Sequence, residues 1–177
     1  MCRCFVSRRD DYFELFVQGN YEDYQLNIGS IRQAFNAAVS ASHLADHYFK
    51  YNKKYNPSKV NSYKSIGDFV EYLCTKTKDC FRDIRSISNA YKHLYTLDDP
   101  KAAIHTTVSS PGAIESITFL NKKSEIKEIK EEWTEDLNTS KVVFTRIDGQ
   151  QIDFLSTLET VIKFWEELLY RVDNGQL

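Results

Sequence analysis

Long apolar runs are missing from this chain. No stretch approaches the roughly 18 consecutive apolar residues that span a bilayer, so no membrane partner is expected. The N-terminus reads Met1-Cys2-Arg3-Cys4 and then turns to charges, without the apolar segment of a secretory leader. Cysteine is scarce: Cys2, Cys4, Cys74 and Cys80 are too few for a disulfide scaffold, and neither of their spacings is that of a zinc site. Free thiols without a leader point to a cytoplasmic protein. The six glycines are isolated from one another, which excludes a glycine-rich phosphate loop. Ser110-Pro111-Gly112 is a turn and not a nucleophile elbow. Neither sign of charge dominates, since 23 Lys and Arg stand against 25 Asp and Glu for a net charge of -2. A general basic coat for nucleic acid is therefore absent, and no cofactor is implied.

What is present is a globular composition, 42% hydrophobic and 14% aromatic over 177 residues, long enough for one domain with its own core. Apolar periodicity predicts a short helix over residues 8–18, stopped by Gly19-Asn20. A long helix follows over 28–53, with Ser30 as its cap. Its stripe is Ile31, Phe35, Ala38, Ala45 and Phe49, flanked by Ala34 and Ala41, and the alanines would admit another helix closely. After the polar loop 52–64, Ser65-Ile66-Gly67-Asp68 opens a third helix with Ile66, Phe69, Val70, Leu73 and Cys74 inward. A fourth runs over 79–97 on Phe81, Ile84, Ser88, Tyr91 and Tyr95, until Asp98-Asp99-Pro100 stops it.

The period then changes. Residues 104–108, 114–120 and 142–147 are short and β-branched, the last closed by Asp148-Gly149. Residues 125–137 carry Ile126, Ile129, Trp133 and Leu137 at helical intervals. A final helix over 153–171 shows Leu158, Val161, Ile162, Trp165, Leu168 and Leu169 on one face. The expected fold is mainly α: a bundle of four to five helices with a small two- or three-stranded β insertion near the C-terminal half. It forms a single domain over 1–177, with a helical core over about 8–98 and 153–171 and the insertion over about 101–150. So small a sheet is marginal alone and must pack on the bundle.

One polar constellation carries chemistry. Arg85, Asn89 and His93 recur every fourth residue on the fourth helix, stacked on successive turns, with Arg82 beside them. Asn89-x-x-x-His93, late in a bundle helix, resembles the Arg-Asn-x-x-x-His signature of HEPN-type helical domains. Many members of that superfamily are metal-independent ribonucleases that act as dimers in toxin or phage-defence systems, and others have lost activity. The resemblance covers about 15 residues and departs at Ser88, where the family's arginine would stand; Arg85 lies one turn earlier. It implies a catalytic set of Arg85, Asn89 and His93, with Arg82 and Lys92 meeting nucleic acid. His93 would then move a proton and Arg85 or Lys92 would offset phosphate charge. The Asn89-Ala90-x-Lys92-His93 segment, with His43-Leu44-Ala45-Asp46-His47 on the first long helix, also resembles uncharacterised bacterial and phage helical proteins.

Two further readings stay open. His43, Asp46 and His47 would project sideways from the long helix and, set against His93 and Asp83 on a neighbouring helix, make a bundle metal site. His47 falls about 160° from Ile31 at 100° per residue, nearly opposite the core stripe. Tyr48, Tyr51 and Tyr55 with Lys50, Lys53 and Lys54 form a basic-aromatic stretch of the kind that meets a nucleic-acid backbone. The leading expectation is a non-catalytic binding or accessory module. A homodimer and an RNA or protein partner are its expected associations, and a HEPN-like ribonuclease or a metal protein the alternatives.

Overall fold

The computed structural model describes residues 9–92, 106–119 and 139–171. Among them the chain is mainly helical, with a three-stranded antiparallel sheet in its C-terminal half. The predicted helix over 125–137, the end of the fourth helix and His93 lie outside these residues. No helix of the described residues is long and apolar enough to cross a membrane.

The first helical segment does not stop at Gly19-Asn20. Helix α1 (Arg9–Tyr12) passes into a π-helical stretch (Phe13–Gln18) and on into α2 (Gly19–Leu26). Gly19 keeps right-handed helical angles, and the Asn20 amide folds back to donate to the Phe16 carbonyl at 2.7 Å. The stop comes at Asn27, whose backbone leaves the helical region while its N–H returns to Tyr24.

Helix α3 (Ile31–Tyr55) starts where Ser30 accepts from the Gln33 N–H at 3.3 Å. Its predicted Ala38, Ala45 and Phe49, with Ala34 and Ala41 beside them, are buried together with Ala37, Leu44 and Tyr48, while Ile31 and Phe35 at its start are half-buried. Small side chains let α3 sit among α2, the later helices and the sheet, and it touches all of them. Helix α4 (Ile66–Lys76) opens on a reciprocal capping box, Asp68 N–H to the Ser65 hydroxyl and Ser65 N–H to the Asp68 carboxylate. Between α4 and α5 (Cys80–Lys92), Lys78 and Asp79 take left-handed angles, and the buried Thr77 hydroxyl donates to Leu73 O and accepts from Phe81 N–H.

Strands β1 (Ile114–Phe119), β2 (Thr139–Thr145) and β3 (Gln151–Asp153) pair in the order β1-β2-β3. Ile114 stands opposite Phe144, and Val143 opposite Asp153. Gly149, at φ 87°, turns the β2–β3 hairpin as Asp148-Gly149 suggests. The strand predicted over 104–108 is not formed in its described part: residues 106–108 are irregular. Thr107 there donates its N–H to Ser86 Oγ at 3.0 Å and accepts from Ile147 N–H at 2.9 Å, so its backbone bonds a helix and a hairpin turn instead of a ladder.

Helix α6 (Phe154–Glu166) is capped by Asp153, which accepts from Ser156 N–H, and continues as a π-helical stretch (Glu167–Arg171). Its Trp165 is fully buried among Tyr48, Phe69, Phe81 and Phe164, with ring centroids 5.9 to 6.5 Å away. One continuous core takes in these rings together with Ile114, Val142 and Phe144 of the sheet.

The sheet meets the bundle most tightly at Gly29. β3 is too short to cover the start of β2, and there the Val142 N–H donates to Ile28 O at 2.9 Å. A Cβ on Gly29 would stand 2.5 Å from Ser140 Cβ, closer than atoms can approach. Gly29→Ala is therefore expected to destabilise the fold by about 1–3 kcal/mol in urea denaturation. Ser140→Gly in the same chain should recover most of that loss. An unchanged midpoint for Gly29→Ala would show that the loop does not rest on β2.

Candidate functional site

The polar stripe of α5 divides once its partners are seen. Arg82 is spoken for: its guanidinium meets both Glu71 oxygens at 2.8 and 3.3 Å, and its Nε donates to Asp79 at 3.0 Å. The Glu71 carboxylate pushes the Arg82 pKa further up, so the charge is fixed and turned onto α4 and the inter-helix turn. Arg85 and Asn89 are half-buried on the same helix, and among the described residues Arg85 makes no ion pair. Ser88, where the resemblance would place an arginine, is fully buried, and its hydroxyl has no hydrogen-bond partner. A guanidinium at that position would enter the core. Lys92 ends α5 and His93 follows it, both outside the described side chains. The structure thus brings Arg85 and Asn89 to one helix side and commits Arg82 elsewhere.

His43 and Asp46 are half-buried and His47 is exposed. The His47 ring stacks on Tyr12 of the first helical segment, 4.1 Å between centroids and 23° from parallel. Among the described residues no three His, Cys, Asp or Glu side chains converge as a metal site would require. Cys74 and Cys80 are free thiols. Burial pushes the Cys74 thiol up to about 11, which leaves it almost wholly protonated at neutral pH and a poor nucleophile.

Two features went unread in the sequence. Asp83, a charge on α5, is fully buried and receives Arg146 from the end of β2: Nε donates at 3.0 Å and a terminal nitrogen at 2.5 Å. Arg146 also donates to Gln150 at 2.8 Å, which ties the ion pair to the hairpin turn. The Asp83 partnership raises the Arg146 pKa. Nothing local marks Asp83 for burial, because its partner lies 63 residues away. The second is an open cavity of about 410 Å³ between the two π-helical stretches, lined by Phe13, Glu14, Gln18, Glu166, Glu167 and Tyr170.

At the far end of α3, Tyr48 and Asn52 are buried while Lys50, Lys53, Lys54 and Tyr55 are exposed. The Tyr48 ring lies nearly parallel to Phe69 in the core and leaves the stretch predicted with Tyr51 and Tyr55. Comparison of the chain with protein-family models, with curated proteins and with solved structures returned no match.

The geometry separates the two arginines experimentally. Arg82→Gln is expected to lower stability by about 0.5–1 kcal/mol, a deficit that shrinks as salt is raised, since the bridge is partly exposed. Arg85→Gln should stay within about 0.5 kcal/mol of the unaltered protein. Equal effects in urea denaturation would contradict the assignment.

Proposed function

We propose that this chain is a non-catalytic helical module that acts by binding. The observation that carries the reading is the state of the α5 stripe. The residue ahead of Asn89 is the core-facing Ser88, and Arg82 of the same stripe is occupied by Glu71 and Asp79. Phosphoryl-transfer chemistry of the ribonuclease kind needs a cation free to meet the developing charge beside the general base. That leaves Arg85, half-buried one turn before Asn89, as the single described arginine of the stripe outside the ion pairs of the described residues, where the family's signature places its arginine directly ahead of the asparagine. The resemblance to HEPN-type domains is then that of a descendant which keeps the asparagine and histidine without the cleavage.

Mixed-sequence single-stranded RNA and transfer RNA, incubated with the protein in EDTA, test this directly. The expected result is intact RNA with both the unaltered protein and His93→Ala. Cleavage by the unaltered protein that disappears in His93→Ala would overturn the proposal and establish a metal-independent ribonuclease.

A further inference from the structure

The 21 residues from His47 to Gly67 contain five lysines, at 50, 53, 54, 59 and 64, and no acidic residue, in a chain whose acids outnumber its bases. They form the last turns of α3, the 3-10 turn Pro57–Lys59 and the loop into α4. Buried Tyr48, Asn52 and Val60 anchor this end of the bundle, while Lys50, Lys53, Lys54, Tyr55 and Lys64 stand in solvent. None of the ion pairs among the described residues engages Lys50, Lys53, Lys54 or Lys64. Asp68, the next acid along the chain, has its carboxylate on the Ser65 N–H.

The lysines are interleaved with rings. Tyr51 and Tyr55 lie 4.9 Å apart, and Tyr55 is 58% exposed. The Lys54 ammonium sits 4.9 Å from the Tyr55 ring centre and that of Lys53 5.7 Å from Phe49. Lys53 and Lys54 also offset the negative end of the α3 dipole, but Lys50 and Lys64 lie outside the last turn and have no such task. Lys50, Lys53, Lys54 and Lys64, outside the ion pairs of the described residues and set beside an exposed ring, fit a flexible polyanion that carries flat apolar groups. Phosphates follow the lysines while an unstacked base lies against Tyr55. A duplex hides its base faces, so an unpaired strand fits an exposed ring better. From this we infer that the end of α3 and the loop after it form a binding surface for single-stranded nucleic acid.

The inference deepens the binding reading, and a DNA probe keeps the two separable, because DNA lacks the 2′-hydroxyl that a HEPN-like cleavage would use. Fluorescence anisotropy with a labelled mixed-sequence single-stranded DNA of about twenty nucleotides, in about 20 mM salt, is the measurement. Binding is expected to weaken at least about tenfold in K53E/K54E and by about tenfold in Tyr55→Ala, and to be unchanged in Lys163→Glu, an exposed position of α6. With about three phosphates engaged, log affinity should fall with log salt at a slope near -2. The same strand annealed to its complement should bind more weakly. No anisotropy change up to about 100 µM protein overturns the inference, since nonspecific strands are held at or below that range. So does binding indifferent to Tyr55→Ala, or binding by phosphatidylserine vesicles but not by the strand. All the variants alter exposed side chains, and circular dichroism before titration verifies their folding.

Discussion

The Asp83–Arg146 pair sets where the sheet lies. Asp83 has no exposure at all, and a buried carboxylate without a partner is costly enough that the charge must be met. The group that meets it arrives at the end of β2, held in turn by Gln150 across the hairpin turn. Once that contact forms, neighbouring contacts follow it: Ile147 N–H reaches Thr107 O, and Thr107 N–H reaches Ser86 one turn along α5. At the other end of β2, Ile28 and Gly29 close the same strand against the α2–α3 loop. A three-stranded sheet too small to stand alone is in this way fixed at both ends of its central strand.

Apolar burial does the rest, with the roles divided between small and large residues. Alanines along α3 permit close approach, and Trp165 gathers Tyr48, Phe69 and Phe81 from three helices into one cluster. The cluster explains why the end of α3 turns its lysines outward. Tyr48, Phe49 and Asn52 occupy the inward positions, so Lys50, Lys53, Lys54 and Tyr55 have only solvent to face. Its presentation follows from core packing, not from any contact that holds the lysines in place.

Features that depend on a few neighbouring residues were legible in the sequence. The caps at Ser30 and Ser65 and the faces of α4 and α6 belong here, because hydroxyl geometry and 3.6-residue periodicity are local. The Asp148-Gly149 turn does too. What failed needed distant information. Gly19-Asn20 reads as a stop, yet the Asn20 amide satisfies the Phe16 carbonyl and the helix goes on. Strand β3 is three residues long and has no pattern of its own; its existence follows from the hairpin. The α5 stripe was visible as a stripe, but Arg82 looked like a free cation until Glu71, 11 residues earlier, was brought against it. Asp83, offered by the sequence only as a partner for a metal beside His43 and His47, is buried against Arg146, 63 residues later.

A double-mutant cycle on Asp83 and Arg146 tests most directly whether that pair holds the sheet to the bundle. Arg146→Met should cost about 3–5 kcal/mol in urea denaturation, because it strands a buried carboxylate. Asp83→Leu with Arg146→Met together should cost less than Arg146→Met alone, since no charge is then left inside. Additive losses, or an Arg146→Met protein within about 0.5 kcal/mol of the unaltered one, would contradict the account and leave the sheet held by apolar packing alone.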